Sequence, residues 1–522
     1  MNPNSNFFRF SCKAVIFFAC VFLRANSIAG DVSGTIVNQV WTSNNSPYRV
    51  VGDIQVAGLK IEPGVTVQFE GNYVFEVAGQ LKALGTAQAP ILFTQTNTVA
   101  GWKGLLFSFN RTASVLDHCT IEGARDSGLR LIASFPTVRN CTFRKNSSTT
   151  HGGGISIDLR TAAGDLSLEN CVISDNTARL NGGGINALLG SNTLKMVLCW
   201  VLNNTANPSK ADLTYYGGGL HADGSVVLDH CTVSGNVCNS CSAGDPGNLR
   251  YSFGGGIATL GSSARLSNCI IRNNQAVNAN CGQNTGRAWG GGVYTASASF
   301  LAQNCIISSN ACFSRSGNNL GTGVCIASPT VTAKIVNSQV AYNNGQGIGV
   351  TGGVVDVLSS IVFFNNNGGA QIATNSTTQV RYSNVQLGFP GEGNLPGVNP
   401  IFLSPSELII VSGSPCIDRG TTNSVDNDVS FPPSLGTVRN DMGAFGGPGA
   451  IPRFWVGRGL PFELAVMGAV PGLAYEIQVS NDMLTWESFR EVQISHVGDA
   501  PNFADPAASD LPRRFYRLVL VP

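Results

Sequence analysis

Acidic and basic side chains make up only 12% of this chain. That scarcity excludes charge-driven disorder and the Glu- and Lys-rich composition of helical proteins. Long apolar runs are missing too. The run AVIFFACVFL at 14–23 is about half the ~20 residues that a bilayer span needs, and no later stretch reads as transmembrane. Excess positive charge is also absent. The net charge over 522 residues is +1, so the basic footprint of a nucleic-acid binder is lacking and no nucleic acid is expected as a partner. What the chain has is glycine, 62 residues of it, and 15 cysteines.

The N-terminus reads as a secretory signal over residues 1–29. Arg9 and Lys13 precede the apolar run, and Ser27 and Ala29 supply small residues before a cut at Gly30. A lipidated Cys20 is the alternative. Cleavage removes Arg9, Lys13 and Arg24, which takes the net charge from +1 to −2. The expected location is therefore outside the cell, secreted or at the cell surface.

Length beyond 300 residues calls for several units or an elongated repeat, and the cysteines reveal a repeat. Cys119, Cys141, Cys171, Cys199, Cys231, Cys269 and Cys305 each open a short strand-like segment, and Ser338, Ser360 and Ser383 continue the series. Two residues after each anchor the side chain is apolar, from Ile121 to Val385; three residues before, it is apolar again. Even spacing keeps side chains on one face of a strand, and the odd spacing requires a turn between two inward-facing strands. Five residues after the anchor stand Asn146, Asn176, Asn204, Asn236, Asn274, Asn310, Asn343 and Asn365. A glycine cluster and a third strand follow. Three short strands per repeat predict an all-β fold, a parallel β-helix of stacked rungs with an inward thiol row and an asparagine ladder at one corner.

This pattern resembles the right-handed parallel β-helix, pectin-lyase-like repeat proteins secreted by bacteria. GSPCIDRG and LGTVRNDMGAFGGPGA (413–450) resemble the closing segment of surface β-helix proteins described as having a choice of anchors. The expected domains are a β-helix over 30–446 with its closing segment at 413–446, a linker at 447–453, and a small fibronectin-type β-sandwich over 454–522. Tyr475, Trp486 and Phe515 are the expected core of that sandwich.

Long insertions between the ladder Asn and the glycines place candidate chemistry on one flank. Tyr216, Phe253 and Trp289 immediately precede their glycine clusters, and Tyr294 lies on the strand that follows. Aligned rings of this kind suit sugar faces; the plainer reading is that they cover the corner beneath the loops. His221 and Asp223 are weak candidates for an acid/base pair, the alternative being a solvated surface. Cys238, Cys241, Cys281 and Cys312 lie in the insertions and are candidates for disulfides, with Cys281–Cys312 and Cys238–Cys241 favoured, while the anchor cysteines read as packed thiols. No metal site is read from the sequence and no cofactor is expected, although Asp418, Asp426, Asp428 and Asp441 are types that bind calcium. The functional expectation is a secreted or surface structural and adhesion protein whose loop-bearing face contacts polysaccharide or cell-surface glycans. The alternative is a polysaccharide lyase or glycoside hydrolase of the same fold.

Overall fold

The computed structural model describes residues 30–521 apart from 97–100, 208–213, 241–249, 279–285, 315–316, 374–376, 451–452, 457–461, 497–498, 500 and 512. The described chain is almost entirely β. Thirty-three strands join in one parallel assembly whose partners lie one rung apart in sequence. Ile155, Ile185, Leu220, Ile257, Val293, Val324 and Ile348 pair in turn, each with the next, at one register position. Three strands per rung, returning to the same register each time, make a right-handed parallel β-helix.

The rung is three-sided because the chain enters the left-handed region at three corners. The residue before each anchor does so: His118, Asn140, Asn170, Leu198, His230, Asn268, Asn304, Asn337, Ser359 and Tyr382 all have φ between 43° and 54°. So does the residue before each ladder asparagine, from Lys145 to Phe364, and so does the first glycine of each cluster, Gly152 to Gly290. Asparagine and glycine tolerate this conformation best. At Gly217 an added Cβ would stand 2.2 Å from the Leu220 carbonyl oxygen, so glycine is required there for space as well.

The interior is the expected one. The seven anchor cysteines are at most 1% exposed and run in a row with Ile121, Phe143, Ile173, Val201, Val233, Ile271 and Ile307 behind them. Each thiol donates to nearby carbonyls, as Cys199 Sγ does to Leu168 O at 3.3 Å. Ser338, Ser360 and Ser383 extend the row as hydroxyls that bond from rung to rung: Ser338 N donates to Ser360 Oγ at 3.1 Å and Ser360 N to Ser383 Oγ at 3.0 Å. The asparagine ladder is continuous. Each backbone N–H and Nδ2 donates to the Oδ1 of the next, from Asn146–Asn176 to Asn343–Asn365, within 3.1 Å. Gln371 ends it by supplying Oε1 to Asn365.

The closing segment reaches beyond the end of the stack. Leu395 bridges to Asn384 at the last rung, but the chain then folds back along the flank rather than only covering the end. It lies over the outer face of the anchor strands, where Ile270, Ile306 and Ala341 pack against Leu408 and Ala444, and Ile361 and Phe363 against Ile410 and Met442. Its contacts run into the expected linker: Asn304 Nδ2 donates to Gly446 O at 2.7 Å, and Gly447 N donates to Asp428 Oδ1.

Beyond it, two three-stranded antiparallel sheets, Arg453–Val456, Phe462–Met467 and Asn502–Asp505, and Ala474–Ser480, Glu487–Gln493 and Phe515–Leu520, enclose a small core. Tyr475, Ile477, Leu464, Val466 and Phe503 fill it. Trp486 does not belong to it: the Arg517 guanidinium covers the indole at 4.4 Å on the outside. Phe515 is half-buried at the margin.

Candidate functional site

The insertions on the flank fold as a second β layer. After each of the first six ladder asparagines, Asn146 to Asn310, the chain leaves the solenoid as a short strand. Ser147–Ser148, Thr177–Ala178, Thr205–Ala206, Val237–Asn239, Gln275–Asn278 and Ala311–Ser314 stack as a six-stranded parallel sheet. It returns as Thr214–Tyr216, Tyr251–Phe253, Arg287–Trp289 and Asn319–Leu320, a four-stranded parallel sheet. The two sheets face each other. Cys238 Sγ donates to Tyr215 O at 3.4 Å, Ser252 Oγ donates to Val277 O at 2.6 Å, and Ala276, Ala288 and Cys312 form an apolar contact between them.

This corrects the placing of two disulfide candidates. Cys238 and Cys312 are strand residues, buried as free thiols, and Ala276 separates them in one inward row two rungs apart. Burial pushes the Cys238 thiol up to about 12 and the Cys312 thiol up as well. Cys241 and Cys281 lie outside the described residues.

Tyr216, Phe253, Trp289 and Leu320 stand in register, one per rung. Their alignment follows from the glycine clusters: Gly217 N donates to Phe253 O at 2.9 Å and Gly254 N to Trp289 O at 3.0 Å. Ring centroids are 5.7 Å apart for Tyr216–Phe253 and 5.3 Å for Phe253–Trp289. The rings also fold onto the outer face of the glycine-led strands. Phe253 stacks on Tyr294 at 4.5 Å and Tyr216 on His221 at 5.5 Å. Phe253 and Tyr294 are each 7% exposed and form a satellite core with Ala258 and Cys325, whereas Tyr216 and Trp289 are half-buried at its rim. Arg287, which no sequence pattern singled out, lies over the rings of Trp289 (4.9 Å) and Tyr251 (5.5 Å).

His221 sits beneath this layer and is not a solvated surface residue. It is 4% exposed, its Nδ1 is 2.8 Å from Asn186 Oδ1, and its Nε2 is buried without a partner. Burial, with His151 adding to it, lowers its pKa to about 3. Asp223 is exposed. Asp158, at the corresponding position two rungs away, pairs with Arg160 at 2.7 Å. His221 is thus buried against Asn186 and Tyr216, while Asp223, two residues on, is exposed.

Asp418, Asp428 and Asp441 of the closing segment accept hydrogen bonds from backbone N–H groups. Asp441 accepts from Asp418 N (2.7 Å) and Leu435 N (2.8 Å), and Asp418 from Thr437 N (2.9 Å). Burial raises Asp428 to about 7 and Asp441 to about 6. Among the described residues no group of three or more His, Cys, Asp or Glu is arranged to hold a metal.

Comparison with known proteins is consistent with the fold. A family model described as the right handed beta helix region matches residues 33–206 and 97–249. No curated protein matches the sequence. A solved structure that is similar is the crystal structure of pectate lyase Pel9A, at 14% sequence identity, covering 74% of this chain and 88% of that one, with a TM-score of 0.31.

Proposed function

We propose that this chain is a secreted or cell-surface structural and adhesion protein, a β-helix that presents its loop-bearing flank to polysaccharide without performing catalysis on it. The signal-like N-terminus supports export. The observation that carries the reading is the aromatic layer itself: Tyr216 and Trp289 are half-buried rings two rungs apart in one row, with Phe253 between them, Tyr294 stacked on Phe253 and Arg287 over Trp289. A braced ring loses little freedom when a sugar face stacks on it. Against catalysis, a histidine held neutral down to about pH 3 is a poor acid or base near neutrality.

A second reading, a polysaccharide lyase or hydrolase, is favoured by one feature, the unpartnered Nε2 of His221. A polysaccharide array scored for both retention and product release separates the two. Adhesion predicts retention that Trp289→Ala weakens, with no new reducing or unsaturated ends. Release of such ends, abolished by His221→Ala, would overturn it.

A further inference from the structure

A cleft of about 730 Å³ lies on a different side of the rungs, between the outer face of the anchor strands and the C-terminal sheets. Its floor is three consecutive rungs in register: Thr142, Val172 and Trp200 point outward from the strands that carry Phe143, Ile173 and Val201 inward. Asn140 and Asn170 stand at the adjoining corner. Arg490, Asn502 and Phe503 of the C-terminal unit form one wall, and Gly85–Gln88 lie opposite.

Each polar group here is either fixed or open. Asn170 Nδ2 donates to Asn140 Oδ1 at 2.7 Å, and Asn140 Nδ2 donates to Asp117 Oδ1 at 2.9 Å. Arg139 neutralises Asp117 through a 2.6 Å contact. Among the described residues nothing donates to Asn170 Oδ1, no acceptor meets the Trp200 indole N–H, and no ring stacks on Trp200. Arg490 lies 5.7 Å from the Phe503 ring and has no carboxylate partner among the described residues. The position held by Trp200 is taken by Thr, Val or Ile in neighbouring rungs, so the interior does not demand the indole.

From this geometry we infer a binding cleft for a neutral oligosaccharide, with Trp200 as the stacking platform and Asn170, Asn140 and Asn502 as partners for the hydroxyl rim. A sugar ring offers an apolar face edged by groups that both donate and accept, which a flat half-buried indole beside pre-oriented amides complements. The other ligand chemistries fit less well. A peptide adding as a strand needs a free edge, and the floor strands are paired on both sides. A polyanion needs several unpaired cations, and Arg490 is a single one. The inference does not depend on the aromatic flank proposed above.

The test is calorimetric titration of the full chain with the soluble hexamers of β-1,4-linked glucose, xylose and mannose, with tryptophan fluorescence as a second readout. At least one hexamer binds. Trp200→Ala weakens that binding by about tenfold or more and removes the fluorescence change. Trp200→Phe retains part of the affinity and Asn170→Ala lowers it. Equal thermal midpoints for wild type and Trp200→Ala establish that the loss is local. Failure of all three hexamers to bind, or undiminished binding by Trp200→Ala, overturns the cleft; loss of hexamer binding in Trp289→Ala alone assigns the saccharide to the flank instead.

Discussion

At the corner before the anchor strand, the rungs of Cys141 and Cys171 carry Asn140 and Asn170 beside an open cleft, and that of Cys199 carries Leu198, packed against Ala465 of the C-terminal unit. Further along, Asn304, Asn337 and Ser359 occupy the same corner and hold the closing segment: Asn337 Nδ2 donates to Asp441 O at 2.8 Å, and Gly443 N to Ser359 O at 2.9 Å. The outer face of the strand changes with it. Thr142, Val172, Trp200 and Thr232 give way to Ile270, Ile306, Gln339 and Ile361. Inside, the two halves are alike, with one asparagine ladder and one row of small anchors. The inward face answers to stacking, which repeats, whereas the outward face answers to whatever covers it, which does not.

The sharpest way to break this comparison is to charge the outer face in each half. Ile306→Asp buries an uncompensated carboxylate against Leu408 and Ala444 and is expected to cost about 3–5 kcal/mol. Thr142→Asp, at the same register position in the open half, stays within about 1 kcal/mol. Equal urea midpoints for the two variants would show that the closing segment does not hold the flank.

The shared interior predicts similar losses in both halves. Asn204→Ala and Asn343→Ala each orphan buried donors and acceptors and cost about 1–3 kcal/mol. A large cost in one half alone, measured by chemical denaturation, would make the ladder local rather than common.

Acid separates the halves by sign. Asp428 and Asp441 titrate at about 7 and about 6 in the fold, against an ordinary 3.8. Their protonated forms are favoured, so the closing segment is most stable below about pH 4 and loses stability as pH rises through 6 and 7. Burial raises Asp117 too, but hydrogen bonds from His118 and Asn140 and the Arg139 charge outweigh it and lower the pKa. That corner is therefore stable above about pH 4 and weakens as pH falls through the lowered value. Hydrogen exchange should show protection of the closing segment falling from pH 4 to pH 7.5 while the Asp117 corner holds over that range and loses protection only below about pH 4, and Asp428→Asn should flatten the response of the closing segment.

The smallest effect is an exchange of anchors. Cys199→Ser is expected to cost about 1 kcal/mol or less, because the Ser338 hydroxyl already donates to the carbonyl two residues back at 2.8 Å and accepts from the anchor N–H of the preceding rung at 3.1 Å. A cost above about 3 kcal/mol, read from the denaturation midpoint, would mean that the thiol row fills space the serines do not.

Sequence by itself determined the rung: the anchors, the apolar positions on either side, the asparagine ladder and the in-register order of Tyr216, Phe253 and Trp289. Each of these is a local spacing that stacking copies from one repeat to the next, so it survives as a pattern. The all-apolar CII and SIV segments also carried a sign of the covered flank, since strands buried on both faces lose their alternation. The partner over that flank was not legible, because Asn304 meets Gly446 and Asn337 meets Asp441 across more than a hundred residues without any repeat to align them. For the same reason only the tertiary structure decided that the insertions pair as two small sheets, that His221 is sealed beneath Tyr216, and that Trp200, one outward residue in a ten-rung series, faces a cleft rather than water.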